Sequence, residues 1–245
     1  MCHDHDAVPP SPPAGSSPYT TANKVLRSAD GTEFGAYEAG PDVPSPTRIL
    51  LLPDIGGLSD FYRRLAGHLA SVGYRTLVID WFGRTAGPAR RTAGLDHDEW
   101  QEALDRDELL ADVQAGLDQV DGPGRVVVMG FCIGGGTALH AAAHRLALDG
   151  VVAFYPYTGG WAEVPALPDD FVAAIECPVL ALFGAADRVV PVTQADAFRT
   201  HLAAPSEVVL YEGQPHGYFE KDFRAEAGHE QASADSWTRL LAFLG

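Results

Sequence analysis

From about Val25 onward, short apolar runs alternate with amphipathic stretches along the chain. Arg48-Ile49-Leu50-Leu51-Leu52-Pro53 is a continuous apolar run, the mark of a strand covered on both faces. Ser59 can cap the helix that follows, in which Phe61, Leu65, Leu69 and Val72 recur at helical spacing and Gly73 gives the stop. Thr76–Asp80 predicts the next strand, and Leu110, Val113, Leu117 and Val120 mark a helix over residues 103–120. Val126–Met129 reads as a strand, Ala138–Leu146 as a helix, and Val151–Tyr155 and Pro178–Phe183 as further strands. Residues 193–203 predict a helix, Val208–Tyr211 a strand, and Trp237, Leu240, Leu241 and Leu244 a closing helix. Ahead of this series, residues 24–39 read as an edge hairpin turning at Asp30-Gly31.

Strands alternating with helices imply an α/β architecture, a mostly parallel central sheet with helices on both faces. Residues 1–20, with Pro9, Pro10, Pro12, Pro13 and Pro18 among serines, predict a polar, extended and solvated leader. Residues 21–245 then form a single domain. The stretch from Thr85 to Trp100 breaks the rhythm and is long for a strand-to-helix loop, so it is expected to cover the carboxyl ends of the strands as a lid.

Charge removes some functional classes. Lysine plus arginine total 17 against 33 acids, a formal net charge of −16. That balance opposes nucleic acid and an anionic membrane surface as partners. No apolar run approaches the ~20 residues of a spanning helix, and Met1–Asp6 lacks the features of a signal peptide. The three cysteines, Cys2, Cys132 and Cys177, are no disulfide framework, which predicts a cytoplasmic setting.

The chemistry concentrates after the strand Val126–Met129. Gly130-Phe131-Cys132-Ile133-Gly134 has a nucleophile type flanked at two residues on either side by glycine, between strand and helix. Such a turn needs small flanking residues because it lifts the central side chain on a strained backbone. The Ile133 N–H then lies at a helix N-terminus, ready for an oxyanion, and the same helix end favours a thiolate. Neither a dinucleotide glycine pattern nor a P-loop lysine is present. Later in the chain, Asp187 sits in a turn after the strand ending in Phe183-Gly184, and His216 in a glycine–proline turn after the last strand. The order nucleophile, acid, histidine makes them candidates for orienting acid and base.

With these positions the chain resembles the dienelactone hydrolases of the α/β-hydrolase superfamily. The resemblance rests on the cysteine elbow, Gly184–Asp187, Pro215-His216-Gly217-Tyr218-Phe219, Pro53-Asp54-Ile55-Gly56-Gly57 and Asp80-Trp81-Phe82-Gly83-Arg84, and covers roughly residues 20–245. It implies an α/β-hydrolase fold and a Cys132–His216–Asp187 triad that opens lactones or cleaves esters through an acyl-enzyme. It further implies Asp54 as the acidic partner of the resting thiol, in place of the family's glutamate, and the Ile55 N–H as second oxyanion donor beside Ile133. Family members hold a substrate carboxylate with arginines, one of them a few residues after the histidine. Here Glu220 stands four residues after His216, leaving Lys221, Arg224 and the lid's Arg84, Arg90 and Arg91 as cations. Trp81, Tyr155 and Tyr218 are candidate pocket aromatics alongside Arg84.

The expected partner is a small-molecule lactone or ester, bound by a monomer or homodimer with no metal or organic cofactor. Cys2, His3 and His5 fall short of a closed four-ligand site, His140 and His144 lack the glutamate of a zinc protease, and Cys177 reads as inert core. Two other readings stay open: the same cysteine serving a cyclase, isomerase or acyl-transfer step in a secondary pathway, and a non-catalytic ligand-binding relative.

Overall fold

The computed structural model describes residues 7–15, 17–89, 104–120, 122–161, 164–203, 205–219 and 228–245. The chain opens with an antiparallel hairpin, β1 (Tyr19–Arg27) and β2 (Glu33–Pro41). Its turn closes by Gly31 N–H donating to the Ser28 carbonyl and by Thr32 N–H donating to the Asp30 side chain. Gly31 has φ 91°, which glycine adopts without steric cost. The series continues with β3 (Thr47–Leu52), α1 (Asp60–Ser71), β4 (Arg75–Ile79), the short α2 (Gly83–Ala86) and α3 (Arg106–Val120). It then runs through β5 (Arg125–Phe131), α4 (Ile133–Ala143), β6 (Gly150–Phe154), a 3-10 turn (Asp169–Ala174), β7 (Val179–Gly184), α5 (Val192–His201), β8 (Ser206–Tyr211) and α6 (His229–Leu244).

The strands form one eight-stranded sheet in the order β1-β2-β4-β3-β5-β6-β7-β8. It is parallel from β4 through β8, with β1 and β2 antiparallel at one edge. The apolar runs are continuous because both faces are covered. Leu50, Leu52, Val128, Ala153 and Ala181 join the buried cluster that includes residues of α3, α4 and α5. Ile49, Leu51, Val127, Val152 and Leu180 join the one formed with α1 and α6. Each leucine, isoleucine or valine among these, taken fully out of water, stabilises the fold by roughly 1.5–3 kcal/mol.

Three local departures from the pattern have physical causes. Helix α4 begins at Ile133 rather than near Ala138, so Gly134, Gly135 and Gly136 are helical. Glycine propensity argues against that, but a Cβ at Gly134 would strike the Leu52 and Pro53 carbonyls and one at Gly136 the Tyr157 carbonyl. Close packing of this helix on the strand ends therefore requires glycine and overrides propensity. Helix α6 starts eight residues before Trp237; its first turns bury small or polar residues, Ala232, Ser233 and Ser236, which carry no hydrophobic signal. The leader also departs: Ala7 is buried, and the Pro10 carbonyl accepts from the Trp237 indole N–H at 3.1 Å and contacts the His68 ring at 3.2 Å. These contacts tie residues 7–10 to α1 and α6, where a solvated segment was expected. The lid beyond residue 89 lies outside the described residues, as do Cys2, His3 and His5.

At the end of α4, the rings of His140 and the capping residue His144 meet edge to face at 4.3 Å. Burial first, then the neighbouring His144 and Arg106, hold His140 down at about 4 against an ordinary 6.5, with Asp107 opposing. The unfolded ring binds its proton more tightly. The stability this ring contributes is therefore complete above pH 6.5 and lost as pH falls towards 4. Substituting His140→Gln should remove part of the acid sensitivity, about 1 kcal/mol after allowance for the solvated part of the ring. Thermal unfolding of both proteins at pH 7 and pH 4.5 reads it, and equal losses of Tm would refute it. Among the described residues no helix is long and apolar enough to cross a membrane.

Candidate active site

The sheet changes direction of connection at β3: β4 lies on one side of it and β5 on the other. Loops leaving β3 and β5 therefore diverge at the carboxyl edge, the place where open α/β sheets bind ligands. Cys132 follows β5 and precedes α4, with φ 51° and ψ −117°. A non-glycine residue reaches that region only when its surroundings hold it. Here the Cys132 N–H donates to the Phe154 carbonyl at 3.0 Å, and its own carbonyl accepts from Gly136 at 3.0 Å and Tyr157 at 2.8 Å. A Cβ at Gly130 would collide with the Gly134 carbonyl, so both glycines flanking the cysteine are sterically required. Cys132 is buried, 6% exposed. As first residue of its helix, Ile133 has an N–H with no acceptor inside that helix.

Asp187 and His216 meet. Strands β7 and β8 are neighbours, and Gly184 at the end of β7 allows the histidine loop to approach, since a Cβ there would overlap the Gln214 carbonyl. Ala186 N–H donates to that same Gln214 carbonyl at 2.9 Å. His216 Nδ1 then lies 2.7 Å from Asp187 Oδ2. The other oxygen, Oδ1, accepts from the Val189 and Val190 N–H groups at 2.7 and 2.8 Å. The Asp187 side chain is 1% exposed and that of His216 11%. The pair is thus a desolvated hydrogen bond, with the carboxylate orientation fixed by two backbone donors.

After β3, Asp54 is fully buried. Its N–H donates to the Tyr62 hydroxyl at 2.9 Å, and its Oδ1 accepts from Gly56 N–H at 2.8 Å. Ile55 follows it and packs, partly buried, against the cluster that contains Cys132. Tyr62 was not singled out by sequence; within the helical repeat it is one more aromatic next to Phe61. Gln194 is a second such residue: buried on α5, its side-chain amide donates to the Pro156 carbonyl at 2.8 Å, and nothing in the sequence marks it.

The pocket aromatics and Arg84 need correction or refinement. Arg84 is not available to a substrate. Its Nε and Nη2 donate to the two oxygens of Asp112 at 2.9 and 2.7 Å, and Nη1 to Asp30 at 2.6 Å. Burial opposes its charge, but the Asp112 and Asp30 hydrogen bonds outweigh that and raise its pKa. In return the Arg84 hydrogen bond, then the Thr32 N–H, pull the Asp30 carboxyl down to about 2. Tyr218 is fully buried and its hydroxyl is 2.9 Å from Ser236, so it tethers the histidine loop to α6 instead of offering a polar contact to a ligand. Trp81 is also fully buried, in the cluster that contains Ile133 on the other face of the sheet. Tyr155 lies 4.9 Å from the His216 ring. Arg90, Arg91, Glu220, Lys221 and Arg224 lie outside the described residues.

Comparison with known proteins agrees with this frame. Residues 34–245 match the model of the dienelactone hydrolase family. A carboxymethylenebutenolidase of Rhodococcus opacus is 29% identical over 252 residues, covering 100% of this chain and 96% of its own. A Klebsiella pneumoniae crystal structure assigned to the dienelactone hydrolases superposes with a TM-score of 0.77 at 26% identity, covering 93% of this chain and 99% of that one. At 23% identity, a dienelactone hydrolase-like promiscuous phosphotriesterase from metagenomic libraries has the same fold, with a TM-score of 0.69 over 91% of this chain and 97% of its own. The match over nearly the whole chain and the eight-stranded, mostly parallel sheet place this protein in the dienelactone hydrolase family, among the α/β-fold hydrolases of esters and lactones.

Proposed function

We propose that this protein opens activated lactones and cleaves small-molecule esters through a Cys132–His216–Asp187 triad and an acyl-enzyme. The observation that carries the reading is the positive φ of Cys132 at the head of α4, on the sheet edge that also bears the His216–Asp187 hydrogen bond. A cysteine serving only to fill core volume gains nothing from backbone strain.

In the proposed reaction, Asp187 holds the Nδ1–H tautomer of His216 and leaves Nε2 as the base. His216 takes the proton of Cys132, and the helix N-terminus favours the thiolate. Sγ adds to the carbonyl carbon, and the Ile133 and Ile55 N–H groups hold the oxyanion. Collapse breaks the ester or ring C–O bond, and His216 returns its proton to the departing oxygen. Water, deprotonated by His216, adds to the thioester carbonyl; the C–S bond breaks, the carboxylic acid leaves and the thiol is restored. Asp54, fixed at the end of β3 by Tyr62 and Gly56, acts as the acidic partner of the resting thiol.

The name of the Rhodococcus relative points to a carboxylate-bearing butenolide as the first substrate to try. With Arg84 committed to Asp112, holding that carboxylate falls to Arg90, Arg91, Lys221 or Arg224; a neutral ester needs none of them. The test follows the ring absorbance of a cis-dienelactone, and release of 4-nitrophenol from its acetate, with wild type and Cys132→Ala. Turnover should fall at least about 10⁴-fold in the variant on whichever substrate the wild type accepts. A variant as active as the wild type would remove Cys132 from the mechanism. Wild-type turnover of the neutral ester alone would retain the triad and exclude the anionic lactone.

A further inference from the structure

Among the described residues three non-glycine positions have positive φ: Cys132, Arg145 and Tyr155. Arg145 is exposed, beyond the end of α4. The other two are neighbours. Phe131 pairs with Phe154 in parallel register, so Cys132 and Tyr155 are the next residues on adjacent strands. Tyr155 has φ 35°, a conformation that a bulky aromatic adopts only when the structure around it enforces it.

The enforcing contacts are specific. The Tyr155 N–H donates to the Leu182 carbonyl at 2.6 Å, and the Tyr157 N–H to the Cys132 carbonyl at 2.8 Å. Between them, the Pro156 carbonyl accepts from the buried Gln194 amide. Gly135 leaves room for Pro156, and Gly136 for the Tyr157 carbonyl. The turn after β6 is therefore clamped from β5, β7, α4 and α5 at once.

What the clamp produces is a direction. Strands β6 and β8 are separated by β7, yet the Tyr155 ring stands 4.9 Å from the His216 ring, inclined at 61°. Tyr155 is 1% exposed and is itself braced by Tyr218 at 5.7 Å and Phe131 at 6.0 Å. The Nδ1 contact to Asp187 fixes one point of the imidazole, and the Tyr155 ring packed against it adds a constraint on the ring plane.

We infer that Tyr155 is the positioning residue of His216: its braced ring fixes the imidazole plane so that Nε2 stays aimed at Cys132, and the positive φ is how the residue just after β6 reaches a histidine carried by the loop after β8. The inference rests on the proposed triad and changes the role expected for Tyr155 from substrate lining to histidine alignment.

The experiment compares wild type with Tyr155→Phe, Tyr155→Leu and Tyr155→Gly. It measures kcat and KM on a neutral aryl ester and the pH dependence of Cys132 alkylation by iodoacetamide. The phenylalanine variant should stay within about 3-fold of wild type, because it retains the ring. The leucine and glycine variants should lose about 10²-fold in kcat at nearly constant KM, the scale of a misplaced catalytic group. Their alkylation profiles should move to higher pH as the base loses its aim. Glycine accepts the backbone without strain, so it serves if leucine impairs folding. Wild-type kcat and an unmoved alkylation profile in both would overturn the inference, as would a change confined to KM. A large loss in Tyr155→Phe would overturn it too, by assigning the role to the hydroxyl. Cys132→Ala and His216→Ala run in the same assay separate the two levels. If both are inactive while Tyr155→Leu is not, the alignment role alone fails; if both stay active, the triad itself fails.

Discussion

Asp187→Asn is expected to leave the fold intact and to lower kcat/KM by about 10⁴-fold, the size that a wrong histidine tautomer produces in a serine triad. The geometry makes the tautomer argument unusually direct. One carboxylate oxygen accepts from both the Val189 and Val190 N–H groups, and the other from His216 Nδ1. An asparagine has one acceptor and one donor end. The two backbone donors claim the acceptor, so the amide NH₂ is turned towards His216. Nδ1 must then accept, which moves the proton to Nε2 and leaves no base for the thiol. Melting should change little, since both backbone hydrogen bonds survive. A 10-fold or smaller loss in kcat/KM, measured on the ester that wild type cleaves best, would mean that Asp187 does not set the tautomer.

Asp112→Ala should be among the most destabilising single changes outside the aliphatic core, at about 3 kcal/mol or more. Asp112 is fully buried and the Arg84 side chain 7% exposed. Removing the carboxylate leaves a guanidinium in a desolvated place, with the half-exposed Asp30 at 2.6 Å and Glu108 at 3.8 Å as its remaining carboxylates among the described residues. For a chain of this size that corresponds to a fall in Tm of roughly 6–12 °C. The cost comes from the orphaned charge, so the double substitution Arg84→Met with Asp112→Leu should recover most of it. Urea unfolding of the two variants decides the point. A single variant within 1 kcal/mol of wild type, or a double variant no better than the single, would refute the account. The pair also joins α3 to the segment after β4, the two ends between which residues 90–103 run.

Much of this was legible in the chain. Ile49–Leu52, Val126–Met129 and Val179–Phe183 are apolar without interruption, and burial on both faces is the only common arrangement that accepts such runs. Gly130, Cys132 and Gly134 could be read as a strand-to-helix turn because the steric demand is local, within five residues. The order of Asp187 and His216 after it was likewise visible. Arg84 illustrates the opposite case. In sequence it is one cation in a glycine-rich loop; its partners, Asp112 and Asp30, are 28 and 54 residues away, and no periodicity connects them.

Local pattern therefore determined which segments are strands, that the sheet is covered twice, and which residue types stand at the strand ends, because burial and backbone sterics act over a few residues. The tertiary structure decided which strand ends are neighbours, and with them every long-range pairing. It made Gly134 and Gly136 helical against their propensity, since carbonyls of two other loops press on them. It took Arg84 out of the pocket and packed residues 7–10 of the leader against α1 and α6. It turned Tyr155 towards His216 through a φ that tyrosine does not choose alone. Each of these is a contact between segments far apart in the chain, fixed by the strand order β4-β3-β5-β6-β7-β8 rather than by the residues adjacent in sequence.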